Sequence, residues 1–542
     1  MTKEVKKEYV DQFISMAEIV YLIYFIVMFG TRAIGIYEGM LAYNVSLVIG
    51  MLIFGLKVLM TEHSVLEYIM MAGLLLLCLI VYRNTGEKGM LLYFTMMLGM
   101  KGVSVQRVFK TGAIVQVTAF MALVLLSLLG IKEEIIYVQS RMGMGEVLRH
   151  ALGYPHPNTL HTTYVCMMVL IMYAFGNKNR KRLVVTSGCL FLGSVYIYLY
   201  SCSNTGLLAS VLYLTVNFYF QIRKSISRIE KIFIYSLYPA CLVFSIIGPL
   251  VIKGKLFDII NKLLNTRWGL SIYYLQNEPV TLFGTRFKEA PTTHHMIDSS
   301  FLYSFLQLGI VAFLVITGVY LLTIHETVKK DKRAEIAIIV SFCVMGISDP
   351  FLFNLSYKNL VFIFIGAMLY LKINGIRYRC NDILNKKICI LSIGKKCINI
   401  KKREEPVFRG RIRIVLLTFV LTGFVAGGLY FLSVQCTEKI YINKTAWEKS
   451  ADFRGIESGN WHEYAIYLSE EDVKTIKEEN GIVKGYKNKN EPMFMEIGNV
   501  AQMEYIRNGV SMGIWIGIIT VFMLQIVWKI KRKNMIVSGG NS

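Results

Sequence analysis

The sequence predicts an all-α, polytopic integral membrane protein of about 12 core transmembrane helices plus 2 C-terminal ones, with one large extracytoplasmic loop. Three observations carry this. Of the 542 residues, 54% are hydrophobic and only 18% are charged, and the mean hydropathy is +0.49. Apolar runs of about 20 residues, the length that crosses the ~30 Å hydrocarbon core, recur along the chain. Lysines and arginines crowd into alternate connections between those runs.

Taken in order, the runs place spans at 12–30, 39–56, 64–82, 89–100, 111–130, 158–175, 183–200, 205–220, 232–252, 299–323, 336–349, 359–371, 414–434 and 509–528. Those at 89–100 and 359–371 are short and must borrow flanking residues to cross. The basic start MTKEVKKEYV leads into a full span with no small-residue cleavage site, so the first span is expected to be retained. With the N-terminus inside, 36 of the 59 lysines and arginines fall in predicted cytoplasmic pieces and 23 outside, ten of the latter in one long late segment. Short cytoplasmic loops collect cations, and long translocated segments escape that rule. The expected protein is therefore a multi-pass plasma-membrane protein with both termini cytoplasmic.

The formal net charge of +23 would suggest nucleic acid in a soluble protein. Here the excess sits beside spans, where it sets topology and attracts anionic lipid headgroups, so nucleic acid is not an expected partner. The ten cysteines show no metal-ligand spacing, and neither a metal nor a cofactor is expected.

The longest polar interruption of the core is the predicted external loop 253–298. Leu256, Ile260, Leu263 and Leu264 share one helical face across Leu256–Leu275, the pattern of a helix lying in a membrane surface. The loop then carries Arg286, Lys288, His294, His295 and Asp298 before the next apolar run. Asp298 is either a helix cap or the partner of an imidazole. His294, His295 and Asp298 make a poor metal site, because adjacent histidines point apart. Asp349, in a later external turn, is an outside candidate with the same capping alternative. Upstream, RHALGYPHPNTL clusters Arg149, His150, His156 and Asn158 before a span, with Asn158 a natural N-cap. A short turn, SCSNTG, places Asn204 between two spans, where turn chemistry alone would also account for it.

In order and in position relative to the spans, these segments resemble a known family. An R-x-x-LG-[FY]-x-HPN-like segment (Arg149 to Asn158) precedes a span, and a polar turn (SCSNTG) follows. A T-R-W-x-L-x-x-Y-Y-L-Q-like stretch (Thr266 to Gln276), an LFG (Leu282 to Gly284) and an Asp before S-[FY]-L-Y (Asp298 to Tyr303) complete the series. Together they look like the bacterial O-antigen polymerase and ligase family, and most like its Wzy-like polysaccharide polymerases. The resemblance covers about residues 1–373.

It implies a metal-independent membrane glycosyltransferase at the outer leaflet, serving capsule, exopolysaccharide or O-antigen assembly. The donor would be a glycan on polyprenyl (undecaprenyl) diphosphate, and the acceptor the sugar hydroxyl of a second lipid-linked unit. Partner assembly proteins would be a flippase and a chain-length regulator. The residues carried over are Arg149 and His156 from the first segment and Arg267 and Asp298 from the second, with Asp298 and His156 as catalytic groups and the arginines binding diphosphate. The local chemistry adds His295 as a catalytic group, three residues from Asp298, and Asn158 and Asn204 as glycan-binding groups. Chemistry supports the arginines, since breaking a glycosyl diphosphate leaves charge on phosphate oxygens and the guanidinium fork suits them. Arg267 could equally snorkel to headgroups. A ligase passing finished glycan to another acceptor, or a lipid-linked oligosaccharide flippase, are the competing readings. A transporter would predict repeated halves with charged helices at mid-membrane, and no internal repeat is present.

Past 373 the resemblance stops. Residues 374–413 form a basic cytoplasmic segment expected to lie along the inner leaflet rather than fold, 414–434 a transmembrane helix, 435–508 a small extracytoplasmic domain, and 509–542 a last helix and basic tail.

Overall fold

The computed structural model describes residues 13–132, 134–141, 145–288, 297–349, 358–377, 382–399, 411–436, 441–443, 456–457, 465–466, 494–496 and 500–538. The chain is mostly helical, and each of the fourteen apolar runs overlaps a helix. Among the described residues, ten helices are long and apolar enough to cross a membrane, and three shorter apolar helices accompany them. The helices are α1 Met16–Ala33, α2 Leu41–Leu59, α3 Val65–Thr85, α4 Gly89–Leu98, α5 Val105–Leu128, α6 Pro157–Ala174, α7 Arg180–Ser201, α8 Asn204–Ile222, α9 Arg228–Ile246, α10 Lys255–Leu263, α11 Arg267–Asn277, α12 Ser300–Leu306, α13 Ile310–Lys329, α14 Arg333–Met345, α15 Val361–Arg377, α16 Arg411–Ser433 and α17 Val500–Ser538, besides a few single-turn pieces. They belong to two compact units. Unit 1 is Met1–Leu123, Thr162–Ser194 and Thr205–Lys401, and unit 2 is Val124–His161, Val195–Asn204 and Lys402–Ser542.

In unit 1, serines start the helices. Ser15 accepts from the Glu18 amide at 3.1 Å, and Ser64 with Glu67 forms a capping box at the start of α3. The same acids then collect cations from the start of α5 and from nearby connections. Glu18 takes Arg107 at 2.7 Å, and Glu67 takes Lys101 and His63 at 3.2 Å. Onto this end folds part of the basic segment expected to lie flat on the membrane. Strand β1 (Phe13–Ser15) pairs antiparallel with Cys397–Asn399, and β2 (His63–Ser64) pairs with Lys387–Ile388. Glu62 joins Lys387 at 2.7 Å and Lys395 at 2.6 Å. That expectation is corrected for 382–399, because backbone hydrogen bonds tie this stretch to the chain ahead of α1 and α3.

The predicted span 299–323 is also corrected, since it breaks between α12 and α13. Gly309 sits at φ 86°, and a Cβ there would lie 2.2 Å from the Gly284 nitrogen. Ile310 and Val311 donate to the carbonyls of Thr281 and Leu282 at 3.0 Å. The Leu282–Gly284 stretch therefore pairs its backbone with the break, which only glycines allow. Nearby, α14 has 13 residues, about 20 Å of rise, which is short of a full crossing.

Unit 2 adds a few short strands to its helices. Ile135–Arg141 (β3) and Gly145–His150 (β4) form a hairpin, and Ile456–Glu457 adds antiparallel to β3. A separate sheet joins Tyr441–Asn443, Ala465–Ile466 and Phe494–Glu496. Helices α16 and α17 pack through glycines. A Cβ on Gly513 would meet the Gly423 carbonyl oxygen at 2.6 Å, and one on Gly427 would meet that of Gly509 at 3.1 Å. Glycines at spacing four let backbones approach where no hydrophobic force acts between helices in lipid.

Candidate functional site

The sequence-nominated residues of the 253–298 loop meet in unit 1. Helix α10 leaves Leu256, Ile259 and Leu263 more than half exposed and buries none of its residues, which suits an apolar face resting on lipid. The single helix expected over Leu256–Leu275 is broken. Asn265 (φ 52°) and Thr266 (φ 67°) take left-handed backbone, with Thr266 N–H donating to Asn261 O at 2.8 Å. The turn restarts the chain as α11 at Arg267.

What holds α11 is aromatic burial. Trp268 is 2% exposed and stacks near Phe244 and Phe257, with centroids at 4.9 and 5.9 Å. Tyr274 joins Ile246, Leu302 and Leu306 in a buried cluster, with Ile297 and Phe287 against it. Burying a residue of that size stabilises by roughly 2–3 kcal/mol. The cluster brings the first residue of α11 to the chain just ahead of α12. There Arg267 Nε lies 3.1 Å from Asp298 Oδ2, and the guanidinium also donates from Nη1 to Leu264 O at 3.0 Å.

Asp298 is not the cap of α12. Ser299 takes that place, its hydroxyl accepting from the Leu302 amide, and the Asp298 carboxylate is left to Arg267. Ser300 then ties in the connection after α14. Its N–H donates to Gly346 O at 2.9 Å and its hydroxyl to Asp349 O at 2.8 Å. Beyond that connection Lys358, 7% exposed, donates to Thr162 Oγ1 at 2.7 Å. Asn359 donates to the Tyr320 hydroxyl at 2.7 Å and its N–H to the Tyr93 hydroxyl at 3.4 Å.

Two carboxylates and two cations thus occupy one end of unit 1, outside the helices except for Arg267. Loss of water raises the Asp298 carboxyl above its ordinary value, and Arg267 opposes the shift. Asp349 is pushed up to about 6 by burial, with Lys358 pulling the other way. Burial lowers the Lys358 ammonium to about 8, opposed by Asp349. The arrangement can hold an anion against Arg267 and Lys358, and it can take a proton on a carboxylate.

The upstream residues form a different assembly, inside unit 2. Arg149 is 1% exposed. Its Nε donates to Ser201 O at 2.9 Å and its Nη2 to Asn158 Oδ1 at 2.6 Å. Ser203 donates to that same oxygen at 2.9 Å. Asn158 is not the helix cap the sequence suggests: α6 begins at Pro157, and the Asn158 N–H donates to His156 Nδ1 at 3.0 Å. His156 also lies against the Tyr137 ring at 4.8 Å. Asn204, exposed at the first turn of α8, accepts from the Tyr198 hydroxyl at 2.9 Å. Arg149 and Asn158 fasten the hairpin to the SCSNTG turn. His294 and His295 lie outside the described residues.

The sequence reading did not single out Lys358, a lone lysine just before an apolar run. His150 was named in the upstream cluster but without partners: its Nδ1 faces Glu134 at 2.9 Å and its Nε2 faces Arg507 at 2.8 Å. Arg507 lies 357 residues away, so local sequence carried no signal for the pairing. No family model, curated protein or solved structure matches the chain.

Proposed function

We propose that this protein is a membrane glycosyltransferase that polymerises polyprenyl-diphosphate-linked oligosaccharide units at the outer leaflet of the plasma membrane. The observation that carries the reading is the pairing of Arg267 with Asp298 beside the exposed apolar helix α10, in the unit that also holds Asp349 and Lys358. A lipid diphosphate needs an apolar surface for its tail, a cation at headgroup depth and, for transfer, a carboxylate near the attacking hydroxyl. The loop offers the first two, and the carboxylates of Asp298 and Asp349 lie with them.

In this mechanism α10 rests in the headgroup region and sets the depth of Arg267. The guanidinium holds the diphosphate and stabilises the charge that grows on it as the glycosidic C1–O bond to phosphate breaks. Asp298 keeps the guanidinium oriented. The acceptor hydroxyl attacks C1 and gives up its proton to a carboxylate. In the proposal both termini are cytoplasmic, and flippase and chain-length regulator are the expected partners.

Depletion in cells tests this. Loss of long chains with accumulation of single lipid-linked units is the result expected. Long chains stranded on lipid would point to a ligase, and units retained on the inner leaflet would point to a flippase.

A further inference from the structure

Resting on the polymerase reading, we propose that Asp349, rather than Asp298, accepts the proton of the attacking hydroxyl, while Asp298 is the positioning partner of Arg267. The two carboxylates differ in their engagements. Asp298 is committed to the guanidinium at 3.1 Å, and turning it toward a sugar would release Arg267. Asp349 is held through its main chain, its carbonyl accepting from Ser300 at 2.8 Å. Its neighbour Gly346 takes the Ser300 amide at 2.9 Å. Among the described residues its carboxylate has no hydrogen-bond partner, so it is fixed in place and open to accept one.

The charged groups facing it come from three elements: Arg267 from α11, Asp298 from the chain ahead of α12, and Lys358 from the chain ahead of α15. Two carboxylates whose surroundings separate their proton affinities divide the work of base and electrostatic partner. Burial pushes Asp349 up to about 6. The group is thus ionised at neutral pH and a stronger base than an ordinary carboxylate.

The step balances without a further reagent. The acceptor O–H proton passes to Asp349 as the acceptor oxygen bonds to C1. The C1–O bond to phosphate breaks, and its electron pair leaves on the diphosphate beside Arg267. The proton then returns to the released diphosphate or to water. Because the ionised form of Asp349 is the active one, activity is present above its pKa and lost below it.

The test uses purified full-length protein in liposomes with a polyprenyl-diphosphate-linked oligosaccharide, following chain elongation across pH. Wild type should lose rate roughly tenfold per pH unit below about 6. Asp349→Asn should lose on the order of 10²–10⁴-fold at pH 7.5 and show no such limb. Asp298→Asn should raise KM and keep the limb. Asp349→Asn activity within about threefold of wild type, or a limb that vanishes in Asp298→Asn instead, would overturn the assignment alone. Should Asp349→Asn fail to fold, Asp349→Glu decides: a displaced limb supports the proposal and an unmoved one overturns it. A wild-type protein with no transfer activity would overturn the polymerase reading and this assignment with it.

Discussion

Replacing Asp298 by Asn and Arg267 by Gln, singly and together, asks whether the pair acts as one device. The ion pair spans 3.1 Å, with side chains 13% and 33% exposed. Exposed pairs contribute about 0–1 kcal/mol, and breaking a fully buried pair costs about 3–5 kcal/mol. A largely buried arginine with a one-third exposed carboxylate falls between, at about 2 kcal/mol. At 1.36 kcal/mol per decade this is roughly 30-fold in kcat/KM. Arg267→Gln should cost more than this, because it also removes a diphosphate contact. The cycle isolates the coupling: in the Asp298→Asn background, Arg267→Gln should cost about 30-fold less than it does in wild type. Elongation by purified protein is the assay, read as kcat/KM for the lipid-linked donor. Effects that multiply to within about twofold, leaving no coupling, would refute the claim that Asp298 works through Arg267.

Arg149 should behave differently from Arg267. At 1% exposure, with Ser201 and Asn158 as its acceptors, Arg149→Ala strands buried polar groups and should cost about 3–5 kcal/mol, lowering the amount of membrane-inserted protein severalfold on immunoblots. The glycine contact between α16 and α17 predicts that Gly513→Leu lowers the apparent Tm in detergent by several degrees. Gly428→Leu should leave it unchanged, since a Cβ at Gly428 meets nothing within 4 Å. Lys288→Cys, in the loop beyond α11, should react with an impermeant thiol reagent in intact cells. Labelling only after the cells are broken open would place the loop on the wrong side.

The spans were legible because an apolar run of crossing length is a local signal, and α1, α3, α6 and α7 begin and end within a few residues of their predicted bounds. The family-like order of segments also led to Arg267 and Asp298, which the fold brings into contact. What escaped was set by backbone geometry or by distant partners. Asn265 and Thr266 adopt left-handed backbone with side chains that give only weak warning of it. Gly309 reads as an ordinary glycine until Gly284 is seen against it. The strands at 387–399 pair through main-chain groups, which no side-chain pattern announces. Asp349 gained its place beside Asp298 only through the serine that follows Asp298's cap neighbour, a tertiary link across 49 residues.

The most direct measurement places purified full-length protein in liposomes with a polyprenyl-diphosphate-linked oligosaccharide as sole substrate and resolves the products by size. The account predicts a ladder of chains lengthened by whole repeat units, with free polyprenyl diphosphate released and the ladder lost in Arg267→Ala. Substrate that stays one unit long in the presence of well-inserted wild-type protein would contradict it.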